Sequence, residues 1–331
     1  MSSPEAPTEG AAREFPRRFD TPDRVPYRMR GFRDMWKVVR SGGFGDAKGA
    51  KALAHQVPRA PQVPAKLPAA PANEVRVTWA GHSSFVLQTA GRTLLLDPVW
   101  SPKLPGNTPR ITPVGLPWEA LPPVDALLVS HNHYDHLDKP TVTRLPRDTP
   151  CFVPANLGPW FRKLGFTRVT EMDWWETAAL GDLEVSFVPA QHWSRRTPFD
   201  TNKTLWGGFV VTPPGGAGRT YFAGDSGHNA TWFKQIGERF PGIDLALIPI
   251  GAYEPRWFME PVHMNPEEAL QVFRDVRAKR FVPMHWGTFS LTREPLPEPP
   301  ERLRAAWAQA GLPRENLWDL ALGETRTLRI P

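Results

Sequence analysis

Cysteine is nearly absent from this sequence: Cys151 is the only one in 331 residues. A single thiol excludes an intramolecular disulfide and any cluster of thiolate metal ligands. A reducing, cytoplasmic compartment is therefore the simple expectation. No run of roughly 20 apolar residues occurs, so no transmembrane helix is expected. The opening MSSPEAPTEGAAREFPRR contains no apolar stretch of the signal-peptide kind, so no secretory signal is expected. No basic run is interleaved with stacking aromatics, which sets nucleic acid aside as a partner. The formal charge of +6 is diffuse, and it suits an anionic substrate or a membrane surface. No short-period repeat of the solenoid kind is present.

Proline and tryptophan are abundant instead, at 39 and 14 residues. The prolines predict long ordered loops. The tryptophans predict a large aromatic core, or an amphipathic surface at a lipid interface. Residues 1–50 read as an N-terminal arm, partly disordered, with residues 1–20 polar and expected to be disordered. Within the arm, RVPYRMRGFRDMWKVVR is basic and amphipathic, fit either to lie on a membrane or to pack on the core. Residues 51–73, rich in alanine and proline, read as a linker, and residues 74–331 as the main domain.

From Val75 onward short β-rich runs follow one another: VRVTW, SFVLQT, RTLLLD, DALLVS, PCFVP, RVTEMDW, LEVSFVPA, WGGFVVT, RTYFAGD and IDLALIPIG. Residues 98–123 form a Pro- and Gly-rich loop too long for an ordinary connection, the kind that usually carries function. NPEEALQVFRDVRAKR predicts a helix with Asn265 as N-cap and Pro266 at the first helical position. PERLRAAWAQAG predicts another, closed by Gly311. Strands in meanders with helices among the later ones imply two layered sheets with helices outside, an α/β (α+β) architecture.

The stretch SHNHYDHLD, residues 130–138, holds three of the nine histidines directly after a bare apolar strand. Leaving a strand, His131 and His133 point the same way and can grip one cation. Asp135 and His136 follow the bend and can reach a second. Three further candidates each follow a predicted strand: His192 after VSFVPAQ, Asp225 after RTYFAG and His285 after KRFVPM. Polar residues at the carboxyl ends of strands gather along one sheet edge. Seven ligands for two divalent ions result. His131, His133 and His192 serve the first, Asp135, His136 and His285 the second, and Asp225 bridges. Imidazole and carboxylate without thiolate suit zinc, with manganese or iron as alternatives.

These residues resemble the metallo-β-lactamase-fold hydrolases in HNHYDH, the later His192, GDS at 224–226 and His285. That resemblance implies a four-layer αββα sandwich with two metals at the sheet edge, and a buttressing role for Asp97 beside the metal loop. GHSSFVLQ, PVDALLVSHNHYDHLD, VTEMDWWE, QHWSRRTPFDTNKTLWGGF, YFAGDSG, LALIPIGAYEPRWFM and MHWGTF run in order from about residue 78 to 290. Together they resemble the N-acylphosphatidylethanolamine-hydrolysing phospholipase D branch, and IPIGAYEPRWFM is its most specific tract. The branch implies a further active-site histidine at His263. Val262 departs from its pattern, standing where the animal enzyme has glutamine. The branch also implies a homodimer.

The implied function is phosphodiester hydrolysis that releases phosphatidic acid and an N-acylethanolamine. Two adjacent ions lower the pKa of a shared water toward about 7. The catalytic residues on this reading are Asp225, Asp135 and His263, the last bonded to the phosphoryl or leaving oxygen. Arg195 and Arg196 are candidates to neutralise phosphate. His82, in the GH turn, is a candidate to support the site, with a structural role as the equal alternative. Tyr134, Trp193, Trp206, the WFM tract containing Trp257 and the 98–123 loop are candidates to contact substrate. A lipid substrate implies peripheral contact with the inner face of the membrane. A metal-dependent lactonase or amide hydrolase on the same ligands is the alternative.

Overall fold

The computed structural model describes residues 14–20 and 31–330. Of residues 1–20, expected to be disordered, 1–13 lie outside the described residues, as does the basic stretch at 21–30. Residues 14–20 instead pack on the domain, with Phe19 buried and its N donating to Asn202 O at 2.8 Å. Helices α1 (Phe32–Arg40) and α2 (Ala47–Leu53) come first. Strands β1 (Glu74–Gly81), β2 (Ser84–Thr89) and β3 (Arg92–Leu96) then form a meander. The 98–123 loop contains a short hairpin, β4 (Lys103–Leu104) with β5 (Thr108–Pro109). After it come β6 (Ala126–Leu128), α3 (Lys139–Val142), β7 (Cys151–Pro154), α4 (Gly158–Lys163) and β8 (Val169–Met172). Next are β9 (Thr177–Leu180), β10 (Leu183–Val188), β11 (Gly208–Thr212), β12 (Thr220–Phe222) and α5 (Ala230–Arg239). The chain finishes with β13 (Leu245–Pro249), α6 (Arg256–Met259), α7 (Pro266–Asp275), β14 (Arg280–Met284), α8 (Glu298–Gln309) and β15 (Thr325–Arg329).

Two sheets result, in the orders β15-β1-β2-β3-β6-β7-β8 and β14-β13-β12-β11-β10-β9. Alternation along each strand decides which core each side chain joins. Val75, Val77, Phe85, Leu87, Leu94 and Leu96 join the cluster between the sheets. The intervening Val86 and Leu95, with Leu127 and Val129, join a second cluster with Val142 of α3 and Phe161 of α4. Those two helices therefore cover the outer face of the first sheet. On the second sheet, Trp307 of α8 packs against Phe273 of α7 at 5.0 Å and Phe281 of β14 at 6.1 Å. The outcome is the expected αββα order. Each fully buried leucine or phenylalanine contributes about 1.5–3 kcal/mol to it.

The expected Asn265 cap is a full capping box. Asn265 Oδ1 accepts from Glu268 N at 2.9 Å, and Glu268 Oε2 accepts from Asn265 N at 3.0 Å. The helix stops at Asp275 rather than running on to 280, because Arg277 turns into the left-handed region at φ 55°. The stretch 51–73, read as a linker, lies on the domain: Val57 and Leu67 are buried, and Ala60 N donates to Leu322 O at 2.9 Å. Among the described residues, no helix is long and apolar enough to cross a membrane.

Candidate metal centre

Both sheets deliver side chains to one edge. From the first come His82 in the β1–β2 turn, Asp97 after β3 and residues 131–136 after β6. From the second come His192 after β10, Asp225 after β12 and His285 after β14. Gly224 makes the junction between sheets feasible. At φ 62°, a Cβ there would fall 2.5 Å from Gly207 O and 2.8 Å from Ser130 Cβ. His82, Asp97 and His285 also take left-handed backbone angles, at φ 54°, 40° and 62°. Such angles cost a non-glycine residue about 1–3 kcal/mol and concentrate at functional sites.

Two donor groups form, each with its ligand atoms within 4.8 Å of one another. One is His131, His133, His192 and Asp225; the other is His82, Asp135, His136 and His285. Asp225 stands between them. Its Oδ2 lies 3.0 Å from His285 Nε2 and 3.1 Å from His136 Nε2, and 3.8 Å from His192 Nε2 and 3.9 Å from His131 Nε2. Asp135 Oδ2 lies 3.4 Å from His285 Nε2 and 3.6 Å from His136 Nε2. All seven residues expected as ligands are thus brought together.

Hydrogen bonds fix which nitrogen each ring offers. His136 Nδ1 donates to Asp97 Oδ2 at 2.7 Å. His192 Nδ1 donates to Val262 O at 3.0 Å. His131 Nδ1 lies 2.9 Å from Ser130 Oγ, and that hydroxyl donates to Asp97 Oδ2. Ser130 N donates to Asp97 Oδ1 at 2.7 Å. Asp97 thus braces the metal loop from beneath, in the place expected for it. Three Nε2 lone pairs are left facing inward. His133 faces the same space with Nδ1, 2.9 Å from His131 Nε2 and 3.2 Å from His192 Nε2.

Charge differs between the groups. Burial pushes His131 well below the usual imidazole range, His133 down to about 3 and His192 down to about 4. For His136 and His285, burial also opposes the charge, but Asp225 and Asp135 outweigh it. They hold His136 well above the usual range and His285 at about 9. Asp225 is itself held well below the carboxylate range: burial opposes ionisation, and His136 and His285 overcome it. Asp225 Oδ1, His136 Nε2 and His285 Nε2 are buried without a hydrogen-bond partner. Buried orphans of this kind are rare. A cation satisfies all three, and a donor set of imidazoles and carboxylates fits zinc, manganese or iron.

His82, for which the sequence left support of the site and a purely structural role both open, belongs to the second group. Its Nε2 lies 3.0 Å from Asp135 Oδ2, and its ring centroid is 4.1 Å from that of His285. Its backbone ties the ligand loops together, receiving from His285 N at His82 O and donating from His82 N to Thr288 Oγ1. The usable signal was a histidine directly after a glycine at a strand–strand turn. His263, buried, places Nδ1 4.0 Å from Asp225 Oδ2. Arg256 steadies the turn that carries it, donating from Nη1 to His263 O at 2.8 Å and pairing with Glu268.

A cavity of about 430 Å³ opens onto this centre. Tyr134, Trp193 and Arg195 line it as expected, and so do Leu104, Pro105 and Thr108 of the 98–123 loop. Within WFM, Phe258 and Met259 line it, while Trp257 stands outside, 41% exposed. Trp206 is not in the wall. It is buried in the core, where its Nε1 donates to Ala190 O at 2.9 Å. Arg196 lines the cavity, but its Nη1 is spent on Asn132 O and Leu137 O, both at 2.7 Å, so it clamps the metal loop.

An αββα sandwich with histidine and aspartate donors from both sheets at one edge is the architecture of a metal-dependent hydrolase. Residues 92–286 match the β-lactamase superfamily domain, and the chain belongs to that superfamily. An uncharacterized protein of Mycobacterium tuberculosis is 42% identical over 246 residues, covering 71% of this chain and 64% of its own length. The chain thus spans just under two thirds of that relative. N-acyl-phosphatidylethanolamine-hydrolyzing phospholipase D 1 of Caenorhabditis elegans is 38% identical over 244 residues, covering 69% of this chain and 68% of the worm protein. Among solved structures, Igni18, a metallo hydrolase from Ignicoccus hospitalis, superposes with a TM-score of 0.59 at 24% identity. That match covers 78% of this chain and all of Igni18, and it shows the fold alone.

Proposed function

We propose that the chain is a dinuclear metal phosphodiesterase of the N-acylphosphatidylethanolamine phospholipase D type. The supporting observation is two donor groups with Asp225 between them, opening onto a cavity lined by Phe258, Met259 and Leu104. His131, His133 and His192 would hold the first ion, Asp135, His136 and His285 the second, and Asp225, placed between the groups, would be within reach of either. When bound, the ions, zinc by preference, polarise the phosphoryl group and activate water. Asp225 and Asp135 orient that water. His263, kept neutral because burial pushes it well below the usual range, donates a hydrogen bond to a phosphoryl oxygen. Arg195, on the cavity wall, faces the remaining phosphate charge.

Peripheral contact with an anionic lipid surface belongs to the same reading. Trp36 and Val39 of α1 are 53% and 60% exposed, beside the basic Arg33, Lys37 and Arg40. Trp36→Ser with Val39→Ser lowers co-sedimentation with anionic vesicles if the contact is real.

The test is a panel of phosphodiester and lactone substrates on protein reconstituted separately with zinc, manganese and iron. Release of N-acylethanolamine with two ions per chain is expected. Fewer than two ions, activity that survives chelation, or lactone turnover alone overturns the reading.

A further inference from the structure

Part of the wall facing the metal centre comes from the N-terminal arm. Met35 of α1 and Phe44 shortly after it line the cavity together with His133, Asp225 and His263. One side chain ties the arm down at three points. Arg293 donates from Nε to Gly43 O at 2.7 Å, and from Nη2 to Val38 O at 2.9 Å and Ser41 Oγ at 2.7 Å. The Phe44 ring meets Phe258 edge-on at 5.5 Å. At Gly45 the chain lies directly against the loop after His285, where a Cβ would come 2.0 Å from Ser290 O. Both the arm and its latch, Arg293, fall outside residues 92–286, which carry the family match.

A helix of nine residues does not hold itself together in water, so α1 depends on its docking. Its two faces differ. Val38 is fully buried and Met35 turns to the cavity, while Trp36 and Val39 face solvent. Removing the latch would therefore remove a wall and leave the metal groups intact.

We propose that Met35 and Phe44, held by Arg293, are specificity-determining residues that select the length of an apolar substrate chain. This rests on the reading of the site as one for a lipid phosphodiester. A chain covered on all sides gains affinity with every methylene buried, whereas one lying against an open wall gains only a fraction.

The experiment is calorimetric binding of hexyl-, octyl- and decylphosphocholine, below their micellar concentrations, to the metal-loaded full chain. In the unaltered protein each two added methylenes gain roughly tenfold in affinity. In Phe44→Ala and Arg293→Ala the gain falls to roughly threefold, with metal content unchanged. Arg293→Lys, which keeps a donor, recovers part of it. If Arg293→Ala fails to fold, Phe44→Leu set against Phe44→Ala reads the same slope. A flat slope in the unaltered protein, or a slope that survives both substitutions, overturns the inference. Hydrolysis of bis(4-nitrophenyl) phosphate, which has no chain, is measured alongside. Its absence with the slope intact overturns the phosphodiester reading and leaves the wall standing.

Discussion

The two donor groups are built from the same imidazoles yet differ in charge. The first group's histidines are neutral, while His136 and His285 of the second hold a proton and only its His82, pushed down to about 3 by burial, does not. In the first, burial wins: His133 and His192 fall to about 3 and about 4, and both stay neutral. In the second, His136 and His285 each have Asp135 and Asp225 within 3.6 Å, and the carboxylates win. The number of carboxylates a histidine shares, not its residue type, sets whether it meets a metal as a free base or must first give up a proton.

The strongest way to break that comparison is to remove what the groups share. Asp225→Asn should lower hydrolysis on the order of a thousandfold or more and bring bound metal below two ions per chain by elemental analysis. Next, His192→Ala and His285→Ala should each cost one ion, from different groups. Metal-edge spectroscopy should then show different remaining ligand sets, and identical spectra would merge the groups into one.

The third prediction concerns pH. His285 at about 9 is protonated at neutral pH without metal, so binding the second ion releases protons. Its affinity should rise with pH through about 9, because His136, also held well above the usual range, must give up its proton too. The first group, neutral down to about 4, should bind with little change over the same range. Calorimetric zinc titrations at pH 6 and pH 9, in buffers of differing ionisation enthalpy, read both the affinity and the protons released. A common pH profile would end the contrast. Fourth, His82→Ala should weaken the second ion alone by about 10–100-fold, as loss of a ligand's hydrogen-bond partner does. The smallest effect is expected of Arg196→Ala. It frees two carbonyls of the metal loop and should cost about 1–3 kcal/mol in denaturant unfolding, with both ions still bound.

Much of this was legible in the sequence where local pattern and tertiary role agree. The donors at 131–136, His192, Asp225 and His285 all follow apolar runs that became strands, so strand ends located the site. Asn265 was legible because a helix N-cap is a local device, whereas the reciprocal bond from Glu268 was seen only in the structure. β9, with its TAAL, was not legible: it is an edge strand whose pairing with β10 supplies what its composition lacks. α5 was equally hidden, although Asn229 caps it by accepting from Trp232 N at 3.2 Å. His82 stayed open between site support and structure because its role comes from a neighbour 53 positions away, Asp135. Trp206 misled for the opposite reason: a large aromatic near the site is as well used in a core as in a groove.

Because the ligands are divided between the sheets, the metal centre cannot exist on either sheet alone. During synthesis His131, His133 and His136 emerge first, without the carboxylate of Asp225 or the imidazole of His285. Until β12 and β14 dock, neither group has its full complement of donors. On the proposed dinuclear reading, tight metal capture would therefore report assembly: a chain holding both ions would have its two sheets joined, and one misfolded in its second half would stay metal-free.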